Sequence, residues 1–242
     1  MTPPLLLEVC VDTPTGLMAA IGAGADRIEL CAALSLSGLT PAPGLMALAA
    51  KQPRPIYAMI RPRAGDFVYG ALDLDAMRGD IDAARGFGLA GVVLGASSPS
   101  GALDEDILLR LVEHAAGLGL TLHRAFDLVP DFETALERAI GLGFERVLTS
   151  GGEKTAILGA ERIAALVAQA QGRIAVMAGS GLNADNVAAL IGRTGVREVH
   201  ASCGGPAPTE GNQRARALDF IPANLRDTQD EAVAAMAEAL GR

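Results

Sequence analysis

The chain has 242 residues, of which 50% are hydrophobic and 3% aromatic, and its formal net charge is −8. An acidic chain without a block of lysine and arginine is atypical of nucleic-acid-binding proteins, and no apolar stretch reaches the roughly 18 residues of a membrane span. The first residues lack the basic region of a secretion signal. We therefore expect a cytoplasmic protein with reduced cysteines and neither a nucleic-acid nor a membrane partner.

Short apolar segments alternate with longer Ala- and Leu-rich segments along the whole chain. Helical spacing is clearest at 131–142 and 184–192, and Asp131 stands where an N-cap is expected. Eight segments have the pattern of strands: 5–11, 27–31, 55–63, 91–96, 121–127, 146–151, 173–179 and 198–202.

Parallel strands joined by helices fit either an open doubly wound sheet or a closed barrel, because the local signals are the same. Eight strands in a chain of about 250 residues favour a single (β/α)8 TIM-type barrel of the α/β class. We expect one domain over residues 1–242, with a loop at about 205–227 and a terminal helix at 228–240.

Polar side chains recur at the carboxyl ends of the predicted strands, where the active sites of such barrels lie. Alternate residues of a strand face the same side, so one consistent choice points five of these side chains into the barrel: Glu8, Glu29, Arg61, His123 and His200. Imidazole and paired carboxylates can transfer protons near neutral pH, and an arginine can hold an anion. The candidates for acid–base chemistry are Glu8, Glu29, Arg61, His123, Asp127 and His200.

Two glycine-rich segments follow the sixth and seventh strands, SGGEK at 150–154 and AGSGLN at 178–183. Backbone N–H groups in such loops often bind phosphate, although tight turns also favour glycine. The candidates for binding a small anion are Arg61, Arg63, Ser150, Gly151, Gly179 and Gly181.

The chain has three cysteines, Cys10, Cys31 and Cys203, and an odd number argues against a disulfide framework. Cys10 and Cys31 lie on neighbouring predicted strands, about 4.8 Å apart, and each follows a glutamate by two residues. Thiolates are soft ligands that suit Cu(I). The pair is a candidate copper site, with burial as small apolar side chains as the alternative.

Several segments together resemble the CutC copper homeostasis family: LLEVCVDT, GADRIELCAAL, GLTPAPGL, IRPRAGDFVY, LHRAFD, RVLTSGG, MAGSG and EVHASC. They occur in the expected order from about residue 5 to residue 203. The resemblance implies a TIM-type barrel, a cytoplasmic location, a link to copper tolerance and self-association as a homodimer or higher homo-oligomer. One departure is Ser37, where the family pattern GGLTP has its first glycine.

Two functions remain open from the sequence. The first is Cu(I) binding through Cys10 and Cys31, aided by Met59 or a histidine. The second is enzymatic, with lyase- or isomerase-type acid–base chemistry on a small anionic or phosphorylated metabolite. A copper carrier has no evident need for two glutamates, two arginines and two histidines around a barrel mouth, whereas an enzyme has.

Overall fold

The computed structural model describes residues 4–206, 213–221 and 225–242. Eight parallel strands pair in chain order, and the last pairs with the first to close a barrel. The predicted (β/α)8 barrel is therefore confirmed. The strands are β1 Leu6–Val11, β2 Arg27–Leu30, β3 Ile56–Met59, β4 Gly91–Leu94, β5 Gly119–Leu122, β6 Arg146–Thr149, β7 Ala175–Gly179 and β8 Glu198–Ala201.

Helices follow the first seven of these strands and surround the barrel, and further helices, described below, follow β8. Asp131 caps α5, since its side chain accepts a hydrogen bond from the Thr134 backbone N–H at 3.0 Å. The barrel helices are α1 Pro14–Gly22, α2 Pro43–Ala49, α3 Ala71–Gly86, α4 Glu105–His114, α5 Phe132–Gly141, α6 Ala160–Ala170 and α7 Val187–Thr194.

Strand β1 shows how the barrel wall is built. Leu7, Val9 and Val11 are completely buried in the large aliphatic core that also contains the helices. The alternate residues Glu8 and Cys10 are also buried, yet they stand outside that core cluster. Side chains of opposite parity face opposite sides of a strand, so Glu8 and Cys10 face the barrel interior.

Strand β5 ends earlier than the predicted segment 121–127. The chain leaves the sheet after Leu122 and forms a 3-10 helix at Arg124–Leu128. His123 caps this turn, since its Nδ1 accepts a hydrogen bond from the Ala125 backbone N–H at 3.1 Å. His123 and Asp127 therefore do not lie on one continuous strand, although the segment 121–127 was predicted as one.

The connection from β2 to α2 contains consecutive residues in the left-handed backbone region. Ser37 has a φ of 68° and Gly38 a φ of 82°. The departure from the family pattern thus places a residue with a side chain where glycine is favoured.

The described part of the segment 205–227, predicted as a loop, contains regular structure. Strands β9 Gly204–Pro206 and β10 Arg226–Thr228 form an antiparallel ribbon, and α8 covers Gln213–Ala217. The ribbon is attached to the barrel by the Thr13 hydroxyl, which donates to Asp227 at 2.8 Å. The last helix, α9, covers Asp230–Ala239. Among the described helices, none has the length and hydropathy needed to cross a membrane.

Candidate functional site

Three neighbouring strands bring together side chains of the types that can ligate a metal. In the barrel, β1 lies between β2 and β8, with Cys10 opposite Glu29 and Glu8 opposite His200. The Cys10 Sγ, a Glu29 carboxylate oxygen and a His200 ring nitrogen all lie within 4.8 Å of one another, and all three residues are buried. We call Cys10, Glu29 and His200 the donor cluster.

The His200 ring has one nitrogen on each side of this arrangement. Its Nδ1 lies 2.8 Å from Glu8 Oε1, and its Nε2 lies 3.8 Å from Glu29 Oε2. Once Nε2 has lost its proton, a histidine that donates Nδ1–H to a carboxylate presents the lone pair of Nε2 on the other side. Metal-binding histidines are commonly oriented in this way by a carboxylate.

Glu8 is itself fixed by a second partner. It forms an ion pair with Arg27, which also donates to Glu198 at 2.5 Å. Burial alone would raise the pKa of the Glu8 carboxyl, but the charges of Arg27 and His200 outweigh burial and lower that pKa to about 2. Glu8 is therefore a fixed negative charge beneath His200.

Within the donor cluster, the charges of neighbouring groups shift the pKa of His200, and burial shifts the pKa of Glu29. Burial opposes a charge on His200, but the charges of Cys10 and Glu29 raise its pKa well above the usual value. Burial raises the pKa of Glu29. A bound cation would displace protons from such a cluster, because metal ligands must give up their protons.

The other two cysteines lie close to the donor cluster but outside it. Burial and the Glu29 charge raise the pKa of the Cys31 thiol, whose Sγ lies 3.5 Å from Glu29 Oε2. Cys31 belongs to a small apolar cluster with Met59 inside the barrel. Cys203 is buried just after β8, and burial raises its pKa to about 12. Of the predicted pair, Cys10 therefore lies in the donor cluster, and Cys31 lies beside it, in contact with Glu29.

The sequence analysis missed a layer of charges deeper in the barrel. Arg27 and Arg146 lie 5.6 and 4.8 Å from the centre of the Tyr57 ring, and both pair with Glu198. Strand parity was the available signal, because Arg27 precedes Glu29, and Glu198 precedes His200, by two residues. This layer closes the barrel floor beneath the donor cluster.

A second polar group lies at the ends of β3 and β5. Arg61 donates to three backbone oxygens, those of Leu36, Gly38 and Gly65, at 2.7 to 3.0 Å. Its guanidinium carbon lies 5.1 Å from the centre of the Phe67 ring, which lies 4.7 Å from the His123 ring. Burial and the Arg61 charge lower the pKa of His123 to about 3, so this imidazole is neutral.

The Asp127 carboxylate, from the 3-10 helix after β5, binds the glycine-rich loop after β6. The carboxylate accepts hydrogen bonds from the backbone N–H groups of Ser150 and Gly152, both at 3.0 Å, and from the Thr149 hydroxyl at 2.5 Å. Arg124 donates to it at 2.7 Å. Backbone N–H groups of the SGGEK segment, which was predicted to bind an external anion, therefore donate to the Asp127 carboxylate instead.

The other predicted anion-binding residues are spread over the mouth. Gly151 donates its N–H to the Thr149 hydroxyl at 2.8 Å, and Arg63 pairs with Asp66 and Asp73. A Cβ at Gly179 would come within 2.6 Å of the Leu148 Cδ1 and 3.2 Å of the His200 Cβ, so this glycine allows the close packing of β7 against both side chains. Gly181 has a φ of 73° in the loop that follows.

Comparison with known proteins gives one consistent family. The family model of the CutC family matches residues 5–205. A CutC family protein of Caulobacter vibrioides is 62% identical over 237 residues, covering 98% of this chain and 97% of that protein. One of Sinorhizobium medicae is 56% identical over 232 residues, covering 96% and 94%.

Solved structures agree with the sequence comparison. A copper homeostasis protein CutC of Streptococcus agalactiae superposes with a TM-score of 0.79 at 33% identity, covering 82% of this chain and 98% of that one. A phosphoribosylanthranilate isomerase of Thermotoga maritima reaches 0.60 at 14% identity, covering 98% of both chains, and shares the fold alone. The family match over most of the chain, together with these relatives, shows that the protein belongs to the CutC family.

Proposed function

We propose that this protein binds Cu(I) in cytoplasmic copper homeostasis, with Cys10 and His200 as the principal ligands. The observation that carries the proposal is the buried donor cluster of Cys10, Glu29 and His200. Thiolate and imidazole are ligands that copper accepts, and Cys31 and Met59 provide further soft sulfur atoms beside them. Buried thiols fit a reducing compartment.

The orientation of His200 supports the same proposal. Glu8 receives the Nδ1–H, and Arg27 holds Glu8, so the ring does not need to turn when a metal arrives. A preorganised ligand loses little conformational entropy on binding. Glu29 supplies a nearby carboxylate that can accept the proton released by Cys10. We also propose that the chain self-associates, as the family resemblance implies.

Competition with a chromophoric Cu(I) chelator tests the proposal under anaerobic conditions. Cys10→Ser and His200→Asn should each weaken Cu(I) binding by tenfold or more, because each removes a ligand of the metal. Cys203→Ser is the matched control, since this thiol is also buried at the mouth but is not part of the donor cluster. Wild-type affinity in both Cys10→Ser and His200→Asn would refute the proposal.

A further inference from the structure

The polar group at β3 and β5 contains a positive charge without a counter-ion. Arg61 is 5% exposed, and the hydrogen bonds of its guanidinium all go to neutral backbone oxygens. Within the described part of the chain, no carboxylate lies at ion-pair distance from it. Its Nε is buried and has no hydrogen-bond partner there. Buried charges normally have a partner, since desolvation of an unpaired one is costly.

His123 provides a second donor without an acceptor. Its Nδ1 accepts the Ala125 N–H, so the proton of the neutral ring is on Nε2. The Nε2 atom is buried and has no partner among the residues described. Gly95 allows the ring to lie here, because a Cβ at that position would come within 2.5 Å of it.

Ser97 adds a hydroxyl with the same property. It follows β4, between the strands that carry Arg61 and His123, and its side-chain oxygen is buried without a partner among the described residues. Its backbone N–H donates to the Phe67 carbonyl at 2.8 Å. Phe67 therefore contacts Arg61 and His123 through its ring and the Ser97 backbone through its carbonyl oxygen.

We propose that Arg61, His123 and Ser97 form a second site, separate from the donor cluster, that binds the carboxylate of a small organic acid. One guanidinium charge matches one monoanion, and two N–H donors with a hydroxyl match the acceptor capacity of a carboxylate. The half-buried Phe67 ring lies against Arg61 and His123 and forms an apolar side of the site.

Binding of small carboxylates to the intact chain tests this site. Formate, acetate and pyruvate serve as probes in titration calorimetry and thermal unfolding, against inorganic phosphate and chloride at matched ionic strength. We expect saturable binding of at least one carboxylate in preference to both controls, with a rise in melting temperature. No binding, or an equal response to phosphate or chloride, would overturn the proposal.

Two variants locate the binding. His123→Asn keeps an oxygen near the Nδ1 position for the Ala125 N–H but has no donor at Nε2, so carboxylate affinity should fall about tenfold or more. Ser97→Ala removes a buried hydroxyl without a partner, so the fold should keep its stability while carboxylate affinity falls. Cys10→Ser, in the donor cluster, should bind carboxylate like wild type. A fall in either folded histidine or serine variant supports the site, and wild-type affinity in both would overturn it.

Discussion

At the scale of single residues, the two interior histidines have opposite electrostatic environments. His200 lies between the carboxylates of Glu8 and Glu29, and its pKa is raised despite burial. His123 lies near the Arg61 charge, and burial together with this charge lowers its pKa to about 3. A bound metal can displace a proton from His200, whereas His123 is a neutral hydrogen-bond donor at physiological pH.

The lowered pKa of His123 predicts a pH-dependent contribution to folding. Below its ordinary pKa of 6.5, the unfolded chain binds a proton that the folded chain does not, so the stabilisation is complete above 6.5 and is lost as the pH falls towards about 3. The stability difference between wild type and His123→Asn should shrink below pH 6.5 by up to about 1.4 kcal/mol per pH unit. Urea unfolding at about pH 7.5 and about pH 5 measures it. A difference independent of pH would contradict the neutral ring.

At the scale of elements, the connection from β2 to α2 has an internal conflict. Ser37 adopts a left-handed backbone, which is costly for a residue with a side chain. The same connection is held by Arg61, which donates to the carbonyls of Leu36 and Gly38. Tertiary hydrogen bonds therefore maintain a conformation that Ser37 does not favour.

Ser37→Gly should relieve this conflict. The folded state loses the left-handed strain, and the greater freedom of glycine in the unfolded chain offsets only part of the gain, so we expect stabilisation of about 0.5 kcal/mol. Ser35→Gly is the matched control, because Ser35 is exposed in the same connection with an ordinary backbone and should be destabilised. Chemical unfolding compares the two, and stabilisation of neither variant would contradict the account.

The elements also show what the sequence can predict. Periodicity located all eight strands, and parity placed Glu8 and Cys10 on one face, because both follow from local geometry. The pairing of Glu8 with His200 was not predictable, since it depends on the register in which β8 closes the barrel. Asp127 was missed as the partner of the glycine-rich loop for a similar reason: its strand ends early, and the 3-10 turn redirects its carboxylate.

At the scale of the whole molecule, the sheet of the barrel separates an apolar outer layer from a polar barrel interior. The space between strands and helices is aliphatic, whereas the barrel interior holds a floor of paired charges, with Arg27, Arg146 and Glu198, beneath the donor cluster. A floor of ion pairs is weak evidence for stability, since apolar side chains of similar volume often stabilise as well. Its evident consequence is to fix Glu8, and through Glu8 the ring of His200.

The most direct test of the copper proposal is the X-ray absorption spectrum of the Cu(I)-loaded protein at the copper edge. We expect sulfur and imidazole ligands together in wild type, loss of the imidazole signal in His200→Asn, and a weaker sulfur signal in Cys10→Ser. Cys203→Ser should give the wild-type spectrum. A spectrum without imidazole in wild type, or one unchanged in both Cys10→Ser and His200→Asn, would contradict the assignment of the donor cluster as the copper site.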